Sequence, residues 1–400
     1  MPGYLTPETA QDPVLEELTS ESTGAGLEVE LPDEDISVSF DPSEIDVVTQ
    51  ARTIDLLLAR LREGEMDLSP DFQRRSNLWN RVRKSSLIES LLLRIPIPSL
   101  YVSEDKEGNY TVVDGLQRIC AIAHFVEPTA LNKALKLKLE PLRLEGLQSL
   151  DGYDDAAFVD LPRPLQRRIS ETELTLHVIR ASTPQAVKFN IFSRINQGGL
   201  PLTSQEIRNA IYPGEWRNRV RRLAESQEFL EATERKIKGE RMEDIELVLR
   251  FIAHYTLEPT TDRPDEQNLD TFLNDTVANR SKRWTDAEWS RIESSFNRTL
   301  LYAPRVFGDI VFRKYSPPGF HRKPINRGLF ETECVALARR SVEELEELSK
   351  RSTLVIGSFG KMFEEDEQFV RSLLYATGRG RASNIRLQKI DKILDEALNA

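Results

Sequence analysis

The tract VVDGLQR, residues 112–118, places Asp114, Gly115, Gln117 and Arg118 where a β-branched strand pattern turns into a helical one. Those residue types suit an anion. A helix N-terminus presents unpaired backbone N–H groups and a partial positive charge, and both attract phosphate. Glycine lets the backbone turn tightly and lets a ligand come close. Arg118, in the first helical turn, can fork onto phosphate oxygens. Gln117 can orient water. Asp114, at the strand end, can bind a metal ion, hold Arg118 or accept a proton. The same residues also fit an ordinary strand-to-helix turn, with Asp114 as the helix cap and Arg118 in solvent.

Two further clusters carry similar chemistry. SPDFQRRSNLWN sets Gln73, Arg74 and Arg75 between Phe72 and Trp79 in an irregular stretch containing Pro70. Such a loop suits an anion or a nucleotide base; its plainer reading is a surface loop with Trp79 anchoring the next helix. FSRINQGGLPLTSQEIRNAIY ends one helix with Arg194, Asn196, Gly198 and Gly199 and opens another with Glu206 and Arg208. Its plainer reading is a helix–glycine–helix corner. Further along, Arg305, Arg313, Lys314, Arg322, Lys323 and Arg327 alternate with Phe312, Tyr315 and Phe320, and ERKIKGER (234–241) and GRGR (378–381) add basic loops. These suit DNA phosphates bound in a salt-dependent way, or they are solvated surface charge. The four histidines, His124, His177, His254 and His321, form no His-centred metal motif. No metal site is expected from them, and metal-assisted DNA cleavage is not supported. GSFGK (357–361) is too short for a Walker A loop.

The elements that must hold these clusters follow from periodicity. TIDLLLARLREG (53–64) has helical spacing and ends at Gly64. VRKSSLIESLLLRIPIP is a helix stopped by Pro96 and Pro98. SLYVSEDKEGNYTVVD is a hairpin around a Gly-Asn turn, and LQRICAIAHF is a helix with Ile119, Ile122, Ala123 and Phe125 inside. LKLKLEPLRLEG reads as a further strand or two. DAAFVDLPRPLQRRISE is a helix broken near Pro162 and Pro164, and TELTLHVIR is an alternating strand. A helix follows from after Thr183 to Gly198-Gly199, then another in SQEIRNAIY capped by Ser204. Beyond about residue 215 only helical patterns remain, near 215–230, 241–257, 269–279, 285–302, 331–349, 361–376 and 384–398.

Composition bounds the rest. The net charge of -11 belongs to the first 51 residues, which hold 13 Asp or Glu and no Lys or Arg; the remainder has 52 acidic and 54 basic residues. The acidic balance therefore leaves a nucleic-acid surface open on the later part of the chain. The first 48 or so residues read as a disordered, solubilising tail, or as an acidic segment that folds back on a basic groove. Two distant cysteines argue against a disulfide framework or a cysteine-based zinc site. With no apolar run of about 18 residues and no secretory leader pattern, the expectation is a cytoplasmic protein with no membrane partner. The expected organisation is a tail (1–48), an α+β domain with a small mixed sheet (49–213) and an all-helical domain (214–400).

PDFQRRSNLW, LIESLLLRIPIPSLYV, VVDGLQRICAIAHF and FSRINQGGLPLTSQEIRNAIY, in this order, resemble the N-terminal domain of GmrSD-type modification-dependent restriction enzymes, which is related to the ParB/sulfiredoxin fold. INRGLFETECVALARRS and ASNIRLQKIDKIL resemble the helical part of such proteins. The resemblance implies a nucleotide-handling site: Asp114, Gln117 and Arg118 as catalytic residues, with Gln73, Arg74, Gly115, Arg118, Arg194 and Asn196 around the nucleotide. It implies an NTP as ligand, with Mg²⁺ accompanying it, and nucleoside-triphosphate hydrolysis coupled to sensing modified or foreign DNA. DNA contacts are expected at Arg313, Lys314, Arg322 and Lys323. The second residue after Asp114, often Gln in the family, is Leu116 here. The nuclease domain of the His-Asn-His kind carried by the full enzymes has no counterpart among these motifs, so a separate nuclease or defence-system subunit is the expected partner. A non-catalytic DNA-binding or adaptor module is the competing reading.

Overall fold

The computed structural model describes residues 26–28, 41–68, 79–195, 202–237, 239–257, 262–316, 322–375 and 377–400. The chain divides into two compact units, one of residues 37–217 and one of residues 218–400 joined by the first 36 residues.

The first unit is α+β. Its strands are β1 (Val47–Thr53), β2 (Met66–Asp67), β3 (Leu100–Glu104), β4 (Tyr110–Asp114) and β5 (Glu173–Ile179). They form one mixed sheet in the order β1-β5-β3-β4-β2. The β1–β5 and β3–β4 pairs run antiparallel; β3–β5 and β2–β4 run parallel. Alternation sets the faces: Leu174, Leu176 and Val178 on β5, Leu100 and Val102 on β3, and Tyr110 and Val112 on β4 are all buried. They pack with Leu57, Leu58 and Leu61 of α1 (Ile54–Glu63), Ile88, Leu91 and Leu92 of α2 (Arg81–Leu92), and Ile119, Ile122 and Phe125 of α3 (Leu116–Val126) into one core. The hairpin, α1, α2, α3 and the 173–179 strand follow the sequence pattern.

Two strands escaped that pattern. β1 occupies residues placed at the end of the acidic tail and the start of the first helix, and β2 is two residues long. Seven residues of mixed polarity on a sheet edge carry little periodic signal; pairing to β5 makes them a strand. The further strands expected in residues 135–146 do not form. That segment follows α4 (Pro128–Leu135) and is bound elsewhere: Asn132 of α4 donates through Nδ2 to the Leu139 carbonyl and accepts from the Leu139 N–H, both at 2.9 Å, and Leu144 makes backbone bonds with Asp155 and Ala156. It turns into the core instead at Leu142, Leu144 and Leu147. The helix expected around Pro162 is broken there, into a short turn at Phe158–Asp160 and α5 (Arg163–Glu171). α6 (Gln185–Ile195) and α7 (Ser204–Ile211) complete the unit. α7 is capped by Thr203 rather than Ser204: the Thr203 hydroxyl accepts from the Glu206 N–H at 3.1 Å, and the Glu206 carboxylate accepts from the Thr203 N–H at 2.7 Å.

The second unit is mostly helical, with two isolated β-bridges at Ile325 among its described residues. Its central helices are α8 (Glu243–Tyr255), α9 (Asp286–Phe307), α10 (Arg327–Ala338) and α11 (Gly380–Asn399), with α10 packed against the other three. Every α10 residue from Gly328 to Ala338 is buried. Residues 357–361 lie inside a helix, Ser352–Glu365, so they form no phosphate-binding loop.

Candidate functional site

The motif sits at the end of β4. Asp114 is the last strand residue, Gly115 is the N-cap with φ 94°, and α3 starts at Leu116 with no side chain capping its first amides. Only glycine fits. The left-handed φ strains any L-residue, and a Cβ at Gly115 would lie 2.1 Å from Leu100 Cδ2. The β3–β4 ladder shifts register beside it: Val102 pairs with Val112, but Tyr101 pairs with Asp114. Val113 is the extra residue, and this bulge aims the Asp114 side chain over the same sheet face as Tyr101.

Arg118 folds back across the turn. Its Nη2 donates to Asp114 Oδ2 at 2.8 Å. Its Nη1 donates to the carbonyls of Pro98 and, at 3.1 Å, of Ser99. The guanidinium thus locks the start of β3 to the start of α3 and fixes the Asp114 carboxylate. Asp114 Oδ1 has no hydrogen bond among the described residues, and the side chain is 40% exposed against 12% for Arg118. Gln117 Oε1 accepts from the Trp79 N–H at 3.0 Å, tying the residue where α2's approach begins to the first turn of α3.

That bond bears on the second cluster. Gln73 and Arg74, with Phe72 and Arg75, lie outside the described residues. The chain on either side of them is described: Met66 and Asp67 pair with Tyr110 and Thr111 on β4, and Trp79 is bonded to Gln117. Both ends of the Phe-Gln-Arg segment therefore flank β4 and α3. Asn196 and the glycine pair after it also lie outside the described residues. Arg194 is exposed at the end of α6. α7, which follows, packs on α6 and on β4. It presents an unusual set of buried polar groups: Gln205, Glu206, Arg208 and Asn209 are at most 2% exposed. Gln205 Nε2 donates to Asn209 Oδ1 at 3.1 Å, Arg208 donates to Gln205 Oε1, and the Arg208 guanidinium lies 5.8 Å from the Phe189 ring.

Sequence reasoning missed the carbonyls that grip Arg118 and the row beside Asp114. Tyr101, opposite Asp114, stacks on His177 at 4.6 Å between ring centroids, and His177 Nδ1 is 3.0 Å from Thr49 Oγ1. The signal available was Pro96 and Pro98, whose rigid backbone holds carbonyls without offering N–H groups. His124 is not near this chemistry. It bonds the Glu140 carbonyl through Nε2 at 2.8 Å and lies 3.1 Å from Lys84 Nζ through Nδ1. Burial lowers the pKa of both groups and pushes the Cys120 thiol up to about 12.

The residues singled out for DNA fall in the second unit and are mostly paired. Arg313 is 2% exposed, with its Nη1 on the Val311 carbonyl at 2.8 Å and its Nη2 on Glu234 at 3.2 Å. A phosphate reaching Arg313 would have to displace Glu234. Arg322 also pairs with Glu234 and donates to the Asp309 carbonyl. Lys314 pairs with Glu28, and Lys323 is exposed.

The fold and turn define an α+β domain built around an uncapped helix start beside an Asp–Arg pair. Residues 55–213, from α1 through α7, match the family described as GmrSD restriction endonuclease, N-terminal domain. This stretch is a domain of that family. No curated protein and no solved structure matches the chain. Among the described residues no helix is long and apolar enough to cross a membrane.

Proposed function

We propose that this chain binds and hydrolyses a nucleoside triphosphate as the DNA-sensing component of a restriction or anti-phage system, working with a nuclease on another chain. The observation that carries the reading is the turn at 114–118. Gly115, the N-cap of α3, brings no side chain over the first helical turn, and the Asp114 carboxylate beside it is fixed by Arg118, its Oδ1 without a hydrogen bond among the described residues. Phosphate oxygens suit the amides. Asp114 Oδ1 suits a water, or a Mg²⁺ brought in on the phosphates. Among the described residues no group of three or more His, Cys, Asp or Glu stands together, so Mg²⁺ would take most of its ligands from nucleotide and water. In this reading Arg118 is first a positioning residue, and Arg74 and Arg194 are the further cations that the family resemblance assigns to the nucleotide. The fold is related in this reading to the ParB-like nucleotide sites that the sequence motifs resemble.

The test is phosphate release by the full chain with each of the four NTPs and Mg²⁺. Wild type should turn over at least one. Asp114→Asn, which keeps the shape of the side chain, should lose turnover by about 100-fold or more while still binding nucleotide. Wild type that neither binds nor hydrolyses any NTP would sink the proposal.

One observation favours a non-catalytic module instead. Arg118 spends its donors on Asp114 and two carbonyls, and Gln117 Oε1 is taken by Trp79. Gel shifts with DNA at rising salt, with and without nucleotide, separate the two readings. DNA binding indifferent to every nucleotide would favour the module.

A further inference from the structure

Residues 26–28, in the acidic stretch of the chain, dock on the helical unit through one parallel β-bridge, Leu27 to Ile325. The Glu28 N–H donates to the Ile325 carbonyl and the Ile325 N–H to the Gly26 carbonyl, both at 2.8 Å. Leu27 between them is fully buried. Gly26 has φ 73°, and a Cβ there would press on Lys236 at 3.1 Å. The Glu28 carboxylate is held from two sides: Oε1 pairs with Lys314 Nζ, and Oε2 accepts from Asn326 Nδ2 at 2.9 Å. Arg327 donates through Nη1 to the Glu28 backbone carbonyl and through Nη2 to Glu243 at 3.0 Å.

This corner is built for an oxyanion. Asn326 is the N-cap of α10, a 12-residue helix that begins at Arg327. Its Oδ1 accepts from the Leu329 N–H at 3.0 Å, which leaves Nδ2 to point outward. Among the described residues Glu28 is the sole partner of Lys314 Nζ and of Asn326 Nδ2. Remove Glu28 and an ammonium, a carboxamide N–H and a helix N-terminus face one point. Arg322 and the exposed Lys323 lie just before this helix in the chain. The strap is tied by one apolar side chain, two backbone bonds and the polar contacts of Glu28 with Lys314, Asn326 and Arg327, the first of them 286 positions further along the chain. Such a tether is exchangeable, because the polar ties of Glu28 are ones a phosphate oxygen can replace and docking must also offset the entropy of closing so long a loop.

We propose that the Lys314–Asn326–Arg327 corner is a DNA phosphate site and that Glu28 occupies it as an internal competitor. The proposal rests on the DNA-contact half of the function proposed above and names the place of that contact. The negative charge of the first 51 residues favours the closed form at low salt, and a DNA backbone, with higher charge density, displaces it. Arg313, which the sequence also offered to DNA, is not part of the corner; Lys314 and Arg327 of the same basic stretch are, and Asn326 joins them.

The experiment uses the full chain and a fluorescein-labelled 20-base-pair duplex, read by anisotropy over a series of salt concentrations. Leu27→Asp undocks the strap by placing a charge in its apolar pocket. Glu28→Gln leaves that pocket intact and serves if the first variant folds poorly. Either change should tighten DNA binding by at least about 5-fold and steepen the salt dependence. Adding Lys314→Ala to the released chain should take back most of the gain. Hydrogen–deuterium exchange gives an independent readout: the amides of Glu28 and Ile325, slow in the free wild type, should become fast when DNA saturates it. If wild type binds DNA and the released variants bind no tighter, or the two amides stay protected under DNA, the competitor idea falls while the proposed function stands. If Lys314→Ala does not weaken the released chain, the corner is not the site. If neither wild type nor released chain binds DNA, the DNA-sensing reading falls with it, and nucleotide turnover is judged by its own assay.

Discussion

Replacing Gly115 by Ala tests whether the motif turn needs its glycine for conformation alone or also for closeness. Gly108, in the β3–β4 hairpin, is the internal control. Both residues have a left-handed φ, 94° and 86°. An added Cβ at Gly108 meets nothing within 4 Å, whereas at Gly115 it lies 2.1 Å from Leu100 Cδ2 and 3.2 Å from Arg118 Nη2. Leu100 is 1% exposed, so it has nowhere to retreat except into packed neighbours. The left-handed backbone costs an alanine about 1–2 kcal/mol at either position. Forcing a methyl into packed core adds about 1–3 kcal/mol at Gly115 alone. The expected losses are therefore about 1–2 kcal/mol for Gly108→Ala and about 2–5 kcal/mol for Gly115→Ala. Urea denaturation of the two variants beside wild type measures both, with the m-value checking that the unfolding transition is unchanged. Gly115→Ala should also weaken nucleotide binding, since Leu100 and Arg118 are displaced together. Equal losses at the two positions would refute the argument that strand β3 and the motif turn are packed to contact.

Other expectations concern groups whose charge depends on folding. Glu89 is buried and accepts from the N–H groups of Gln148, Ser149 and Leu150 at 3.2, 2.7 and 3.0 Å. Burial opposes its ionisation, but the three amides outweigh burial and hold the carboxyl below its usual range. Its stabilisation is present above the unfolded pKa of about 4.3 and is lost as pH falls through the lower folded value. Glu89→Ala should cost about 2–4 kcal/mol at pH 7 by urea denaturation, because three amides lose their acceptor; a loss below about 1 kcal/mol would contradict this. His254 is buried; its Nδ1–H donates to the Arg250 carbonyl, which leaves Nε2 of the neutral ring to accept from the Ser383 hydroxyl, and burial lowers its pKa to about 4. With an unfolded value near 6.5, the unfolded chain binds the extra proton between those limits, so stability rises from pH 4 to 6.5 by about 3 kcal/mol. His254→Gln should lack that increment; denaturation curves with the same pH slope in both proteins would rule it out. Lys84 is 6% exposed, and among the described residues its hydrogen-bond partner is His124 Nδ1. Lys84→Met should change stability by less than about 1.5 kcal/mol, as an imperfectly compensated buried charge is exchanged for apolar packing; a loss of 3 kcal/mol or more in the same assay would show the ammonium to be needed.

The sequence by itself determined the elements whose signal is local. The β3–β4 hairpin, the α3 helix with its apolar stripe and the β5 alternation are written in spacings of two and of three to four residues, and each formed where its pattern lies. The glycine at position 115 was legible too, since a turn between strand and helix with an Asp–Gly pair has few conformations. Tertiary structure decided what depends on partners far along the chain. β1 is a strand because β5 accepts it at a distance of more than 100 residues, and residues 135–146 are not, because Asn132 and the leucine pockets satisfy them first. Arg118 and Arg313 look alike in sequence, cationic and next to aromatics or glycine. One became a clamp on Asp114 and the Pro98 and Ser99 carbonyls, the other a buried partner of Glu234, and Lys314 beside it took up Glu28. An arginine's composition and neighbours announce only that it will seek oxygen; which oxygen it finds is a matter of which backbone the fold brings within 3 Å.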